Sequence, residues 1–420
     1  MNHRFSAVLM IASTFTAGQV TTTPVSASSP AGQSVAEARK EIVEKPTQYA
    51  GYNLLAMALV RRAQETSDPA YYTQAEDALK KSLALVPDNF DTEKIKVSIL
   101  LGEHEYPAAL EAAKALNKRV PDDVMVYGLL TDANVELGNY GDAENSAQWM
   151  LNLRPGNLPA LTRAAHLRAL FGDAEGAYEL MDLAYQSTPP TEAGERARIL
   201  TQMGHLRFAS GDTTTAEKFL LQALTAFPGY PDALGSLAQL RIAQKRYGDA
   251  VVLLEQRNQS APRAGNLYEL AEALQLVGRA DDAKRNFMEF ETKALRESGK
   301  KDNSNRQLVF YYADHLRQPA EALKVAELEY AWRHDVYTLD AYAWALHLNG
   351  RDIEARKQIE TALAVGVRDA KLFRHAGVIA LKTGDRAAGE RYLKQSADLN
   401  TLDSEQARSI WARPVPEPAR

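Results

Sequence analysis

Residues 124–157, VMVYGLLTDANVELGNYGDAENSAQWMLNLRPGN, contain the pattern that decides the fold of this chain. Apolar residues such as Leu130 and Leu137 recur at helical spacing before Gly138, where a glycine suits a bend that requires positive φ. A second apolar stretch follows the bend and ends at Pro155, a residue that stops helices. The segment therefore predicts two helices joined by a tight turn.

The same unit recurs about ten times along the chain. Its marker is a small residue in the second helix, where a short side chain lets the two helices of a hairpin approach closely. Successive markers are 33, 34 or 39 residues apart. This register predicts an array of stacked helical hairpins, and we interpret its markers as packing positions. They are Ala75, Ala109, Ala143, Ala177, Ala216, Ala250, Ala283, Ala322, Ala355 and Gly389.

The pattern resembles the tetratricopeptide repeat, a unit of about 34 residues with small residues in both helices, an aromatic near the turn and a late proline. The resemblance covers about residues 49 to 403. It implies an all-α fold, a right-handed superhelix or solenoid of about ten hairpins, whose concave face is lined mainly by the first helices. It also implies a protein or peptide partner. One unit carries it through Gly204, Gly211, Ala216, Ala223 and Pro228.

The repeat divides the chain into arrays and flanking segments. The polar stretch 299–305 predicts a joint between two arrays. The predicted segments are a signal peptide at 1–27, a flexible leader and half-unit helix at 28–48, a first array at 49–302, a second array at 303–403, and a capping helix with a proline-rich tail at 404–420. The predicted units are 49–89, 90–123, 124–157, 158–196, 197–230, 231–263, 264–302, 306–335, 336–369 and 370–403.

Residues 1–27 have the features of an export signal. A positive charge near the start precedes the largely apolar stretch 5–17, which is too short to span a bilayer. Small or modest side chains at 25–27 predict cleavage between Ala27 and Ser28, which gives an exported, periplasmic or secreted protein with no membrane span after cleavage. The alternative is an uncleaved signal that anchors the chain.

The composition excludes whole classes of function. The 420 residues include no cysteine, so disulfides, thiolate nucleophiles and cysteine-ligated metals are excluded. Lysine and arginine number 49 against 54 acidic residues, and the net charge of -5 disfavours general binding to nucleic acid. We therefore expect no nucleic-acid partner.

Motifs that indicate an enzyme are absent from the sequence. It contains no phosphate-cradling loop, no nucleophile elbow and no His-Glu-x-x-His helix. Predicted repeats and caps occupy nearly everything between residues 34 and 412. We therefore predict no catalysis, no cofactor and no metal.

Two histidines occupy equivalent places in neighbouring first helices. His166 follows Ala165 and His205 follows Gly204, at a place that faces the groove in the family that the chain resembles. A metal site needs a third ligand. We therefore interpret the two imidazoles as polar groove residues that contact a partner.

A second candidate surface lies toward the carboxyl end. Trp344 follows the small residue Ala343, which predicts an indole turned toward the groove with Arg374 of the next unit beside it. The alternative is that Phe310 and Trp344 pack between units. Aromatic rings combined with both signs of charge are typical of binding hot spots. The candidate residues are Phe310, Asp314, Asp340, Trp344, His347 and Arg374.

The units that flank the predicted joint depart from the regular pattern. Residues 280–298 predict one unusually long second helix. In the unit after the joint, a core-facing stripe is predicted by parallel with Tyr342, Ala343 and Leu346. That stripe is Val309, Tyr312, Ala313 and Leu316.

Three classes of function remain. The first is an exported scaffold that holds a protein or peptide in its concave groove. The second is an accessory component of a cell-envelope machine, such as polysaccharide export or outer-membrane assembly. The third, more remote, is a metal-using enzyme built on groove histidines and acids. We favour the scaffold because the sequence contains no catalytic motif, and oligomeric state does not enter that choice.

Overall fold

The computed structural model describes residues 29–399. Within this range the chain forms twenty-one α-helices and no strand. A π-helical turn, Tyr311–His315, continues α16. The helices are α1 (Pro30–Glu44), α2 (Tyr49–Thr66), α3 (Ala70–Leu85), α4 (Phe90–Gly102), α5 (Tyr106–Arg119), α6 (Val124–Glu136), α7 (Tyr140–Leu153), α8 (Leu158–Leu170), α9 (Ala174–Ser187), α10 (Ala193–Ala209), α11 (Thr213–Ala226), α12 (Pro231–Ala243), α13 (Tyr247–Ser260), α14 (Ala264–Leu276), α15 (Ala280–Glu297), α16 (Asn305–Phe310), α17 (Pro319–Tyr330), α18 (Val336–Leu348), α19 (Asp352–Ala364), α20 (Ala370–Lys382) and α21 (Arg386–Leu399).

The helices pair in chain order. From α2 with α3 to α20 with α21, the described residues form ten hairpins, which we number units 1 to 10, while α1 packs on α2 as a half-unit. Each unit also packs on the next, and the apolar core lies between first and second helices as a series of clusters along the array. The expected all-α superhelix is confirmed.

The small residues that mark the repeat are packing positions. Ala109 and Ala143 have no exposed surface, and the other marker alanines are equally buried. At Gly389, an added Cβ would lie 2.6 Å from a side-chain carbon of Leu381. A larger side chain at these places would force the two helices of a hairpin apart, and this confirms the packing interpretation.

The turn between the two helices of a unit requires a left-handed backbone. Gly138 has φ +76° and Gly172 has φ +83°. Where a unit lacks glycine at this place, another residue adopts the same conformation: His104 has φ 63°, Lys245 has φ 60° and Arg317 has φ 55°. The turn geometry is therefore imposed by hairpin packing, and glycine only makes it less costly.

Unit 8 corrects the predicted core stripe in part. Val309, Tyr312 and Ala313 are buried as expected, but Leu316 is 38% exposed. The cause is the π-helical turn, in which the Leu316 N–H donates to the Tyr311 carbonyl at 3.0 Å. Its extra residue per turn rotates the chain and turns the Leu316 side chain away from the core.

Hairpin turns of the early units touch loops of the late units. An added Cβ on Gly138 of unit 3 would lie 2.5 Å from the carbonyl oxygen of His334, in the loop before unit 9. An added Cβ on Gly172 of unit 4 would lie 2.7 Å from the carbonyl oxygen of Gly366, in the loop before unit 10. In unit 2, His104 Nδ1 lies 3.3 Å from the Lys301 carbonyl oxygen. These closure contacts join one superhelical turn to the next.

Several predicted segments are now placed. The helix α15 confirms the long second helix, and α1 contains the predicted half-unit helix. The flexible leader is wrong for the described residues, because α1 begins at Pro30 and the Ser29 hydroxyl that caps it also donates to Glu65. The predicted signal peptide, the capping helix and the tail lie outside the described residues. Between residues 29 and 399, no helix combines the length and the apolar character needed to cross a membrane.

Candidate functional site

The concave surface of units 4 and 5 carries His166 of α8 and His205 of α10. Solvent reaches both side chains. Protein nevertheless surrounds them, and this burial lowers the pKa of both imidazoles below the usual value. The charge of Asp132 raises the pKa of His166, whereas His205 lowers the pKa of His166 further. The two histidines therefore lie near each other. Both imidazoles are thus open to solvent and at the same time surrounded by protein atoms, as is typical of side chains that line a concave surface.

An ion pair between units 3 and 4 borders the histidines. Arg163 binds Asp132 with both ends of its guanidinium, Nε to Oδ1 at 2.8 Å and Nη2 to Oδ2 at 2.5 Å. The Arg163 Nε–H also donates to the Gly128 carbonyl at 3.2 Å. An added Cβ on Gly128 would lie 3.2 Å from the Arg163 Cζ, so the glycine allows the guanidinium to lie flat on α6.

A second ion pair lies within α10. Arg198 Nε and Nη2 donate to the Glu195 carboxylate at 3.1 and 2.5 Å. Burial raises the pKa of Glu195, but hydrogen bonds and charge from Arg198 outweigh it and hold that pKa below its usual value. Burial raises the pKa of nearby Tyr230, whose hydroxyl donates to Asp232 at 3.2 Å.

A carboxylate from the far end of the array faces these residues. Burial lowers the pKa of His205, and the charge of Asp369, in the loop before α20, partly opposes that effect. The concave surface of units 3 to 5 is therefore also bounded by unit 10. We call this surface the groove; its residues are Asp132, Arg163, His166, Glu195, Arg198, His205 and Tyr230.

The second predicted surface is largely interior. Trp344 is 1% exposed and Phe310 is 4% exposed. The indole stacks on His375 with ring centres 4.3 Å apart, and its Nε1–H donates to Asp314 Oδ1 at 3.0 Å. The predicted exposure of Trp344 is wrong because α20 packs its His375 over the ring. The Arg374 guanidinium lies 6.0 Å from the indole centre, beside it as predicted.

Two polar members of that surface are also buried. Asp340 is 5% exposed, and its Oδ1 lies 2.8 Å from Nδ1 of His375. His347 is 3% exposed, and its Nδ1 lies 2.6 Å from Oδ1 of Asp352. Their expected exposure is therefore wrong too, because each is enclosed in a hydrogen-bonded pair. Asp314 and Arg374 remain half-buried, and the Lys371 Nζ lies 3.2 Å above the Phe310 ring.

One spacing explains which groove positions are covered. Asp132 meets Arg163, 31 residues later, and Trp344 meets His375, also 31 residues later. At the same spacing from His205 stands Ser236, whose side chain is too small to cover an imidazole. His375 was missed from the sequence, although this spacing could have identified it.

No metal centre is present in the described part of the chain. Between residues 29 and 399, no three histidine, aspartate or glutamate side chains converge in a way that could hold an ion.

Comparison with known proteins identifies the repeat. Residues 207–268 match the family model described as tetratricopeptide repeat. The cellulose synthase operon protein C of Xanthomonas axonopodis pv. citri (strain 306) is 26% identical over 220 residues, which is 51% of this chain and 13% of that protein. The chain thus matches only a small part of the relative's length. The chain therefore contains the tetratricopeptide repeat, and its described residues form ten packed hairpins.

Solved structures share the architecture. Human IFIT1, determined with m7Gppp-AAAA, matches with a TM-score of 0.51 and 11% identity, over 87% of this chain and 94% of that chain. Yeast Tom70 matches with a TM-score of 0.43 and 15% identity, over 91% of this chain and 94% of that chain. The likeness to IFIT1 concerns the fold alone.

Proposed function

We propose that this protein is an exported, non-catalytic scaffold whose groove binds an extended segment of a protein partner. The proposal is supported above all by the surroundings of His166 and His205: solvent reaches both side chains, yet protein encloses them. Repeat arrays generally bind their partners on such concave surfaces.

The chemistry of the groove fits a polypeptide backbone. A neutral imidazole offers one donor and one acceptor, so His166 and His205 complement the N–H and C=O groups of an extended chain. Their lowered pKa keeps both rings neutral near neutral pH. Arg163 and Arg198 are each paired with a carboxylate, so they add directional charge with little net charge. Such a lining favours a peptide of mixed polarity over a polyanion.

The closure contacts support an extended partner over a folded one. The turns of units 2 to 4 touch the loops before units 8 to 10, so the array encloses its concave face instead of opening along its length. A segment with the width of a single chain enters such a space more readily than a globular domain.

Affinity capture tests the proposal. The tagged protein is immobilised and exposed to solubilised envelope proteins, and bound proteins are identified by mass spectrometry. The groove variant is His166→Ala with His205→Ala; the matched control is Lys218→Ala with Lys284→Ala, two exposed residues of second helices. We expect a protein that wild type and control retain and the groove variant loses. Identical captures by all three contradict the proposal.

A second candidate is an accessory role beside a polysaccharide-synthesising system of the cell envelope. It is favoured by the relative from Xanthomonas, which is named for a cellulose synthase operon. Capture of a synthase or outer-membrane subunit in the same experiment would support this role. Export has its own test: we expect amino-terminal sequencing to find a mature start at or near Ser28, and Met1 retained on a cytoplasmic protein would contradict it.

A further inference from the structure

The outer face of α7, the second helix of unit 3, exposes a tryptophan. Trp149 is 51% exposed in the middle of the helix. The half-buried Tyr127 of α6 supports it, with ring centres 6.0 Å apart and ring planes 15° from parallel. The other two tryptophans of the described range, Trp332 and Trp344, are not exposed. Tryptophan is enriched at protein interfaces, so this exposed ring is a candidate contact for a partner.

Uncharged amides surround this ring. Asn145, Gln148 and Asn152 are exposed and lie within one helical turn of Trp149 on the same face. The Gln148 Nε2–H donates to Asn152 Oδ1 at 2.9 Å, which orients both amides. Residues 145–153 contain no charged side chain. We call Asn145, Gln148, Trp149 and Asn152 the α7 face.

We propose that the α7 face binds the α7 face of a second copy of this chain. A two-fold contact uses the same patch on both partners, so the patch must complement itself. Amide side chains do so because each offers donors and an acceptor, and an aromatic ring does so by stacking. A face of one charge sign does not.

Charge separates this face from its neighbours in the array. With a net charge of -5, copies of the chain repel one another. One repeat earlier, the positions of Asn145 and Gln148 are Glu111 and Lys114. One repeat later, they are Glu179 and Asp182. Unit 3 therefore provides an outer surface on which two copies meet without opposed like charges.

The geometry of such a pair is specific. A two-fold axis through Trp149 places each Gln148 near its counterpart and each Asn145 opposite the partner's Asn152. Leu183, one repeat after Trp149, is 50% exposed and extends the apolar surface toward α9. A contact of this size falls at the low end of stable interfaces, below about 1,200 Å² in total, so we expect a dissociation constant of about 10 μM or weaker.

Sedimentation of the full chain tests this proposal independently of the groove. We expect a monomer–dimer equilibrium between about 1 and 200 μM. Trp149→Glu should weaken it at least about tenfold, because it opposes two buried charges. Val252→Glu is the matched control, since Val252 is also 51% exposed on a second helix, α13. Both variants should keep the wild-type melting temperature. A wild type that stays monomeric, or a dimer unaffected by Trp149→Glu, overturns the proposal.

Cross-linking tests the two-fold geometry. Because the chain has no cysteine, each engineered thiol is unique. Under mild oxidation, Gln148→Cys should form disulfide dimers faster than Asn145→Cys, which lies away from the axis. Equal rates overturn the arrangement. A monomer whose Trp149 fluorescence responds instead to a neutral glucan assigns the face to another occupant and also overturns the proposal.

Discussion

The Arg333 Nη2–H donates to the Tyr106 hydroxyl at 2.7 Å, although 227 residues separate the two in the chain. Tyr106 begins α5 in unit 2, whereas Arg333 lies in the loop between units 8 and 9. The same guanidinium lies 3.6 Å from Glu136 Oε2 of unit 3. This bridge belongs to the closure contacts, which join two turns of the superhelix and bound the groove.

The closure contacts predict a contrast between two glycines of equivalent turns. Gly138 and Gly211 have φ values of +76° and +87°. An added Cβ at Gly138 would lie 2.5 Å from the His334 carbonyl oxygen, whereas nothing lies within 4 Å of one at Gly211. Gly211→Ala should cost only the left-handed backbone penalty, about 1 kcal/mol. Gly138→Ala should cost more because it also separates the two superhelical turns.

Thermal melts of the two variants check this contrast, and small-angle scattering supplies a second measurement. We expect the lower melting temperature and the larger radius of gyration for Gly138→Ala. Equal melting temperatures would mean that the closure contacts do not contribute to stability in solution.

The closure contacts also predict a pH dependence. Burial lowers the pKa of His104, which lies beside Arg333, to about 4, from an ordinary value of about 6.5. The folded state therefore binds fewer protons than the unfolded state between these values. The contribution of neutral His104 to the free energy of unfolding is fully present above about pH 6.5. It is lost as the pH falls toward 4, and this lowers the free energy of unfolding by up to about 3 kcal/mol.

Melting temperatures at several pH values measure this effect. Between about pH 7 and pH 5, we expect the melting temperature of wild type to fall more than that of His104→Gln, because glutamine cannot titrate. Some dependence should persist in the variant, because burial also lowers the pKa of His166, His205 and His347. Parallel curves for the two proteins would exclude His104 as a source of the acid sensitivity.

Two tryptophans with opposite environments predict opposite effects on stability. Trp344→Ala should lower the free energy of unfolding by about 3 to 5 kcal/mol, because it empties a buried site and removes the stacked ring from His375 and the hydrogen-bond donor from Asp314. Trp149→Ala, at a half-exposed site, should change stability little. A melting temperature of Trp344→Ala close to that of wild type would show that the indole is not packed in solution.

The hairpin register predicts the effect of overpacking. Ala143 has no exposed surface, so Ala143→Leu should destabilise unit 3 by about 1 to 3 kcal/mol. The adjacent Glu144 is exposed, so Glu144→Leu serves as a control that adds a similar volume on the solvent side. The damage should remain local, since each unit contacts mainly its neighbours. Equal melting temperatures for the two variants would contradict the register.

The hairpins could be predicted from the sequence because their determinants are local. A small residue such as Ala143 recurs where the two helices of each unit cross. Gly138 marks a turn that other units form with His104 or Lys245. The closure contacts could not be predicted. They join residues that are 197 to 227 positions apart in the two hydrogen-bonded pairs, and others use backbone carbonyl oxygens of His334 and Gly366, which no side-chain pattern marks.

The candidate sites show a similar division. His166 and His205 occupy the concave surface because their place in the first helix follows from the repeat. Trp344 occupies the equivalent place but is buried, because His375, 31 positions later, stacks on its ring, whereas the residue at that spacing from His205 is the smaller Ser236. To predict whether a groove position is exposed, one therefore has to consider both the residue at that position and the residue of the next unit that packs against it.

Occupation of the groove by a partner segment is tested most directly by photo-crosslinking in living cells. A benzophenone amino acid replaces Gln202, which lies between Arg198 and His205 on the same face of α10, or Lys218 on the outer face of α11. We predict that the probe at position 202 yields a discrete crosslinked protein that the probe at position 218 does not. Crosslinks from position 218 alone, or from neither position, would contradict the claim.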